Sequence, residues 1–417
     1  MNKKTNKENY DVIIIGGGAS GMMSAAVAAA RGKRVLVLEK NADVGAKLKI
    51  SGGGRCNITN AEEDVRALLR NYGQAEQFLY SAFAQFGMKE TFSFFENNGL
   101  PLTIEARKRA FPKSQKALDV VRTLTRLMKA GKVTVKTKTK VSRVNSHNDE
   151  VVGVVAGKMT YTASSYVLAT GGVSHPETGS TGDGFLWLKA LGHTVAPPTP
   201  TIVPLSVRES WVHALSGTSL SFMKITFYVN GKKSFSKTGK ILFTHFGVSG
   251  PLILNAAKKV GELLQEGEVT ATIDCYPDSD QGALEKKLLH IFDTQKNKML
   301  KNVLPEILPA GTHAVILEHL IGIDGDKKVH SITKEERKKI VGLMKSLPLT
   351  IGGLMGFDRA VVADGGVPLT EIDTRTMRSK KLKNLFVTGD LLHINRPSGG
   401  YSLQLCWTTG FVAGTHV

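Results

Sequence analysis

The sequence predicts an α/β protein whose organisation changes near residue 196. An apolar run at 12–15 leads into clustered glycines and an alanine-rich helix, which is the pattern of a strand–helix–strand unit. Two later apolar runs, in segments 164–174 and 383–392, also lead directly into glycines. Between them, the segment 196–205 carries four of the fourteen prolines and marks a stiff connection.

The composition indicates a globular protein of two or three domains, with 417 residues of which 41% are hydrophobic. Cys56, Cys275 and Cys406 are widely separated and form no CxxC pair. A disulfide framework, a cysteine zinc site and a dithiol redox centre are therefore not expected. The apolar run near the N-terminus is too short for a signal peptide or a membrane span, so the expected location is the cytoplasm.

The charge is strongly basic, because 55 Lys and Arg residues exceed 36 Asp and Glu residues and give a net charge of +19. Such a charge attracts anionic substrates or polyanions. The cations are scattered in short runs, for example 132–143 and 379–383, and runs of this kind are usually solvated surfaces. A nucleic-acid partner is therefore left open.

The segment 11–40 predicts a dinucleotide site. Gly16, Gly18 and Gly21 form a G-x-G-x-x-G between a strand and a helix. In this pattern the first glycine makes the tight turn, the second lets a pyrophosphate approach, and the third lets helix and strand pack closely. Glu39 ends the second strand, where its carboxylate is placed to accept hydrogen bonds from ribose hydroxyls and would repel a 2′-phosphate. The site therefore fits FAD or NAD but not NADP.

Two further strand ends favour FAD over NAD. One strand runs into Ala169, Thr170, Gly171 and Gly172, and another runs into Thr388-Gly389-Asp390. Both resemble the strand ends of flavoproteins, in which glycine admits the flavin and an acidic residue reaches the ribityl–pyrophosphate region.

Six segments together resemble the BaiN/RdsA-type (YhiN-like) bacterial NAD(P)/FAD-dependent oxidoreductases, a family related to the fumarate reductase and succinate dehydrogenase flavoproteins. The match covers nearly the whole chain. The segments are GAKLKISGGGRCNITN (45–60), RKRAFPKSQKALDVV (107–121), ATGGVSHPETGSTGDG (169–184), ILFTHFGVSGPLIL (241–254), the stretch 363–392 and GGYSLQLCWTTGFVAG (399–414).

The resemblance implies a Rossmann-like FAD-binding domain, with a central parallel sheet, helices and a β-meander, made from residues 1–195 and 348–417. An inserted domain, β-barrel-like and helical, would occupy 196–347. The sequence supports this division, since short alternating segments fill 196–280 and helical periodicity follows in 281–347. Thr333 and Glu336 form a capping box at the start of one of these helices.

The resemblance also implies the cofactor residues. SGGGRCN would lie beside the flavin ring, with glycine backbone admitting the flat ring, and the helix beginning near Tyr401 would direct its N–H groups to the pyrimidine edge. From the residues themselves, Cys56 is more typical of a small buried hydrophobe than of a redox thiol. The residues expected to contact FAD are Gly16, Gly18, Ala19, Ser20, Gly21, Glu39, Lys40, Lys47, Ser51, Gly52, Gly53, Gly54, Arg55, Cys56, Asn57, Thr59, Ala169, Thr170, Gly171, Gly172, Gly389, Asp390, Gly399, Gly400, Tyr401, Ser402 and Leu403.

The catalytic candidates are Arg55, His245 and Arg396. An arginine beside the ring can neutralise charge on reduced flavin or fix an anionic substrate, and the family has a histidine where His245 stands. The family usually has Asn in place of Ser402 and Glu in place of Asp390, which bears on the substrate more than on FAD. No motif for a metal site is present in the sequence.

The expected activity is an FAD-dependent oxidoreductase that transfers hydride through flavin N5 to or from a small-molecule substrate. Reduction of an activated C=C bond is the leading hypothesis, by analogy with the fumarate reductase relatives. With no second G-x-G-x-x-G after a strand, NAD(P)H would have to reach the flavin transiently. The alternatives are an amine or alcohol oxidase or dehydrogenase, and a basic FAD-binding protein associated with RNA or ribosomes.

Overall fold

A computed structural model describes residues 4–5 and 10–417 and divides into two compact units. Unit 1 comprises Met1–Thr199 and Val361–Val417, and unit 2 comprises Pro200–Ala360. Unit 2 extends past the expected boundary at 347/348, because strand Leu347–Leu354 pairs with strands of that unit. The predicted α/β class with a barrel-like insert is confirmed.

Unit 1 is organised around a seven-stranded sheet. Two neighbouring strands, Tyr10–Ile15 and Val35–Leu38, are parallel and almost wholly apolar, because both faces of the sheet are covered. In spatial order the strands are Ile372–Asp373, Arg378–Ser379, Leu385–Val387, Ala163–Leu168, Tyr10–Ile15, Val35–Leu38 and Thr134–Lys136. The first two junctions in this order are antiparallel and the others are parallel.

Smaller sheets hold the other described strands of unit 1, and one of them pairs Ala196–Ile202 with Val362–Gly366. Val141–His147, Glu150–Ala156 and Met159–Tyr161 form an antiparallel meander, to which Lys4–Thr5 adds a parallel strand. A three-stranded antiparallel sheet supports the candidate site described below. Its strands are Thr59–Asn60, Arg109–Pro112 and Leu102–Glu105.

Among the helices of unit 1, the first packs on strands of the parallel sheet. The first and last of them approach very closely, since a Cβ built on Gly410 lies 2.5 Å from the Ser20 carbonyl oxygen and the Ser24 hydroxyl donates to the Gly410 carbonyl at 2.8 Å. The α-helices are Ala19–Ala30, Ala46–Ile50, Val65–Arg70, Glu76–Gln85, Met88–Asn97, Ala117–Ala130, Asp183–Ala190 and Tyr401–His416.

Unit 2 contains a closed six-stranded antiparallel barrel with its own apolar core. Alternation of buried and partly buried residues along strand Val269–Asp274 shows how one side of each strand fills the interior. The strands in order around the barrel are Leu205–Val207, Gly247–Ser249, Lys232–Thr244, Ser219–Val229, Val269–Asp274 and Leu347–Leu354.

In the sequence, most helical residues of unit 2 lie between barrel strands Val269–Asp274 and Leu347–Leu354. The predicted capping box is present, with the Glu336 N–H donating to the Thr333 hydroxyl and the Thr333 N–H donating to the Glu336 carboxylate. The α-helices are Ser210–Ala214, Pro251–Leu254, Ala257–Glu266, Gln281–Thr294, Leu300–Val303, His313–Ile316 and Lys334–Lys345. None of the helices within residues 4–5 and 10–417 combines the length and apolar character that a membrane crossing requires.

Candidate functional site

The glycines of the first loop differ in what surrounds them. A Cβ on Gly16 would lie 2.5 Å from the Ala169 carbonyl oxygen, and one on Gly21 would lie 2.0 Å from the Gly16 carbonyl oxygen. A Cβ on Gly18 would meet no atom within 4 Å. Two of the three glycines are therefore required by the protein's own packing, whereas Gly18 borders open space at the start of helix Ala19–Ala30.

The acidic residue after the second strand is held by backbone donors. The Gly17 N–H donates to Glu39 Oε2 at 2.7 Å, and the Asn41 N–H donates to Glu39 Oε1 at 2.8 Å. The neighbouring Lys40 ammonium donates to the Thr181 hydroxyl at 2.6 Å and to Asp183 at 3.0 Å. This segment therefore joins the glycine loop to the Thr-Gly-Asp-Gly element of residues 181–184.

The two other strand ends meet the glycine loop. The Ala169 N–H donates to the Ile15 carbonyl at 2.9 Å, and the Thr388 hydroxyl lies 3.1 Å from the Ser20 hydroxyl. A Cβ on Gly172 would lie 3.3 Å from the carbonyl oxygen of Asp390. Because carboxyl ends of parallel strands share one edge of the sheet, residues far apart in the chain come together here.

The segment 51–54 forms a turn in which three consecutive glycines have left-handed backbone, with φ values of +57° for Gly52, +69° for Gly53 and +81° for Gly54. A Cβ on Gly52 would lie 2.8 Å from the Asn57 nitrogen, but Gly53 and Gly54 border open space. The turn therefore presents exposed backbone without side chains, as close approach of a flat ligand requires.

Arg55 is held by two residues of the hairpin 102–112. Its guanidinium donates to both carboxylate oxygens of Glu105, each at 3.1 Å, and its Cζ lies 4.0 Å from the centre of the Phe111 ring. The fork geometry and the stacking restrict the orientation of the guanidinium. Glu105 supplies the carboxylate that pairs with its positive charge.

Cys56, Asn57 and Thr59 lie on the inner side of the same segment. Burial raises the pKa of the Cys56 thiol to about 12. With its amide oriented to satisfy both ends, Asn57 donates to the Thr59 and Ala110 carbonyls and accepts the Gly400 N–H at 3.0 Å. The Thr59 hydroxyl donates a hydrogen bond to the side-chain carbonyl oxygen of Gln404 at 2.5 Å. Cys56 thus fits its expected role as a buried small hydrophobe.

The C-terminal helix begins beside this segment. Gly400 has φ +104°, and a Cβ there would lie 2.3 Å from the backbone carbon of Thr59. The Tyr401 ring packs edge-on against Tyr72, and the Tyr72 hydroxyl donates to the Tyr401 carbonyl at 2.9 Å. Leu403 is partly buried against the core of unit 1.

Arg396 forms a buried ion pair with Asp390. The Arg396 side chain, only 1% exposed, also donates to the Ser402 hydroxyl at 3.0 Å and to the Ile394 carbonyl at 2.6 Å. The pair connects the strand end at residue 389 to the first turn of the C-terminal helix.

Lys47 has a buried ammonium with no hydrogen-bond partner among the described residues. Burial lowers the pKa of Lys47, while the nearby Asp390 carboxylate opposes that shift. An unpaired buried cation is costly unless something else pairs with it. Lys47 is therefore the strongest indication that a polar ligand completes this region.

His245 belongs to unit 2, whereas Arg55 and Arg396 belong to unit 1. It is exposed, follows the barrel strand Lys232–Thr244, and its ring packs edge-on against Phe246 at 4.9 Å between ring centres. Helix Pro251–Leu254 follows, with a proline at its first position. Among the described residues, no group of three or more His, Cys, Asp or Glu side chains could hold a metal ion.

The sequence did not predict the partners of the candidate residues. Glu105 and Phe111 position Arg55, and Gln404 anchors Thr59. The sequence pointed to Glu105 and Phe111 only by their position, since Phe111 lies within the matched segment 107–121 and Glu105 lies just before it.

FAD fits the residues that line this region of unit 1. Open space at Gly18 suits a pyrophosphate, the bare turn at Gly53 and Gly54 suits a flat ring, and the unpaired Lys47 ammonium can bind an anionic or carbonyl oxygen of the cofactor.

Comparisons with known proteins agree in placing the chain among flavoprotein folds. A family model described as HI0933-like protein Rossmann domain matches residues 10–416. The chain is 30% identical over 405 residues to the Clostridium scindens "3-dehydro-bile acid delta(4,6)-reductase", covering 96% of this chain and 97% of that protein. It is 30% identical over 410 residues to the Haemophilus influenzae "Ribosomal RNA dihydrouridine synthase", covering 97% and 98%. The fold is similar to a flavocytochrome c3 fumarate reductase, with a TM-score of 0.52 and 16% identity over 98% of this chain and 78% of that one.

Proposed function

The chain belongs to the HI0933-like protein family and is an FAD-dependent oxidoreductase, and we propose that it reduces an activated C=C bond with NAD(P)H as the electron donor. The observation that carries this proposal is the 30% identity, over 96% of the chain, to a relative named as a delta(4,6)-reductase. A second relative is named as a dihydrouridine synthase, and a dihydro product arises by adding two hydrogens across a double bond. The two names therefore share one reaction class.

In this proposal the first glycine loop binds the pyrophosphate. The N–H groups at the start of helix Ala19–Ala30 and the helix dipole favour its negative charge, and Gly18 leaves room for it. Backbone donors orient both carboxylate oxygens of Glu39. The remaining lone pairs of these oxygens accept hydrogen bonds from the ribose hydroxyls. Lys40 and Asp183 secure the adjoining segment.

The reactive end lies at the turn 51–54 and the Lys47 ammonium. Bound FAD supplies hydride transfer at N5 of its ring. Lys47 binds a heteroatom of the ring or ribityl chain and thereby gains the partner that it lacks in the protein alone. The first turn of helix Tyr401–His416 directs its N–H groups toward negative charge on the pyrimidine.

The arginines act mainly by position. Arg396, fixed by Asp390 and Ser402, orients the first turn of the C-terminal helix, and Arg55, fixed by Glu105, keeps the turn 51–54 in place. His245 is retained as a candidate proton donor, because it is exposed and has no hydrogen-bond partner among the described residues.

Anaerobic stopped-flow mixing of the holoenzyme with NADH or NADPH tests the donor. We expect at least one of them to bleach the oxidised-flavin absorbance. If both leave the band unchanged, NAD(P)H is not the donor. A substrate screen of conjugated enones against amines and alcohols then separates a reductase from an amine or alcohol oxidase.

RNA is a second candidate substrate. The name of the H. influenzae relative and the net charge of +19 both favour it. A uridine carries a C=C bond conjugated to a carbonyl, so it belongs to the same chemical class as an enone. Mass spectrometry of RNA incubated with the enzyme and donor tests this candidate, through a gain of two hydrogens per reduced base.

A further inference from the structure

Phe222 is an exposed aromatic residue in a strained bulge of the barrel. The pairing between strands Ser219–Val229 and Lys232–Thr244 jumps from Leu220–Ile241 to Met223–Gly239, so the bulged residues lie across from Lys240. Phe222 has φ +61°, and it is 79% exposed.

This combination needs a cause outside the packing of the fold. Left-handed backbone is unfavourable for a bulky residue, and glycine would adopt it without strain. A ring that is 79% exposed gains little from burial that could offset the strain. Strained backbone of this kind is concentrated at sites of function.

In the segment of the chain that contains Phe222, between Glu209 and Glu262, all the Lys, Arg, Asp and Glu side chains are basic. Residues 210–261 contain seven lysines and no aspartate or glutamate. The carboxylate of the adjoining strand that lies opposite Lys224 belongs to Asp274, which already pairs with Lys345 at 2.7 Å. All the lysines on the two bulged strands are exposed, namely Lys224, Lys232, Lys233, Lys237 and Lys240.

We propose that the bulge face, defined as residues 219–224 and 238–242, binds single-stranded RNA. Phe222 stacks on an unpaired base, and Lys224 and Lys240 contact the flanking phosphates. Aromatic stacking beside cations is how proteins bind single strands without reading sequence. The inference deepens the proposed function in one respect, because it makes RNA the substrate class that the reductase would act on.

The charge and the single ring favour RNA over a membrane surface. Within 210–261, Phe222 is the one large hydrophobic side chain that is extensively exposed. A membrane-surface anchor buries a broad apolar face, whereas stacking on a base needs one ring.

The test measures binding of a fluorescein-labelled, uridine-rich single-stranded RNA to the full-length holoenzyme by fluorescence anisotropy across a salt series. Phe222→Gly removes the ring and relieves the strain. Lys224→Gln/Lys240→Gln removes two charges at the bulge. Lys232→Gln/Lys233→Gln is the matched control. It removes the same number of charges from the same pair of strands, but at the hairpin turn and not at the bulge.

We expect Phe222→Gly to weaken RNA binding about tenfold while the melting temperature stays the same or rises. The bulge lysine pair should weaken binding and lower the slope of log affinity against log salt by about 1.4, with a smaller change for the control pair. A ring kept for structure would instead lower the melting temperature when it is removed.

Four results would each overturn the proposal: no RNA binding by the wild type, unchanged binding by Phe222→Gly, equal losses in the two lysine pairs, or equal competition by duplex RNA. Cosedimentation with anionic phospholipid vesicles that is lost in Phe222→Gly, while RNA binding is unchanged, would assign the surface to a membrane. Because the binding assay needs no turnover, RNA that binds here but is not reduced would contradict only the proposal that RNA is the substrate.

Discussion

The Gly17 N–H donates a 2.7 Å hydrogen bond to Glu39 Oε2, across 22 positions of the chain. This bond ties the glycine loop to the end of the second strand. Glu39 also accepts the Asn41 N–H, so both carboxylate oxygens face donors. The proposed ribose-binding group is thus oriented in advance, which lowers the entropy that cofactor binding must lose.

Glu39→Gln should weaken FAD binding. The amide has one acceptor oxygen for two backbone donors, so its NH₂ group must face an N–H and the side chain must turn. We expect a loss of about tenfold in affinity, measured by fluorescence titration of apoprotein with FAD. Asp43→Asn is the control, because Asp43 is 77% exposed and, within the part of the chain that the structure describes, its ion pair is with Lys49. Equal affinity in wild type and Glu39→Gln would contradict the assigned role.

Gly18→Ala should separate ligand binding from folding. Gly18 has φ −82°, which alanine adopts readily, and its added methyl meets no protein atom within 4 Å. Apoprotein stability should therefore be nearly unchanged, while FAD affinity falls at least about tenfold because the methyl occupies the space of the pyrophosphate. Calorimetry of apoprotein and FAD titration check the two parts. Gly342→Ala, also in open space, should leave FAD binding unaltered.

Lys47→Met should stabilise the apoprotein and weaken FAD binding about 10- to 100-fold. Burial lowers the pKa of Lys47 below its ordinary value of 10.5, so the unfolded chain holds the proton more tightly. The wild type therefore gains stability relative to Lys47→Met as pH rises toward 10.5. Chemical denaturation of both apoproteins across this range measures the effect. A difference between them that does not depend on pH would exclude a titrating, buried Lys47.

Glu371→Gln should destabilise the protein by about 1–2 kcal/mol at neutral pH. Burial opposes ionisation of Glu371, but donors that include Thr194, His193 and Lys381 outweigh it and lower its pKa from 4.5 to about 2. Its contribution is therefore complete above pH 4.5 and is lost as pH falls toward 2. The denaturation midpoints of the wild type and Glu371→Gln should therefore converge as the pH falls from 4.5 toward 2. Glu63→Gln is the control, because Glu63 is exposed and its variant should show no such convergence with the wild type.

Local patterns predicted the glycine loop and the capping box, because each depends on residues close together in the chain. The Arg55–Glu105 pair was not predictable, since fifty positions separate the residues and only the hairpin 102–112 brings them together. The expected boundary at 347/348 falls inside strand Leu347–Leu354, because a long helical stretch separates this strand from its barrel partners in the chain. The bulge at Phe222 could not be predicted from the sequence, because residues 219–224 of the bulged strand include no glycine, asparagine or proline.

The most direct measurement is reoxidation of the reduced enzyme by substrate. The holoenzyme is reduced chemically without oxygen and mixed with a conjugated steroid dienone or a uridine-containing RNA. We expect at least one of them to restore the oxidised-flavin absorbance and to yield a product with two added hydrogens. The proposal of a C=C reductase would be contradicted by two results together. The reduced flavin would stay reduced with every conjugated alkene tested, and an amine or alcohol would readily reduce the oxidised flavin.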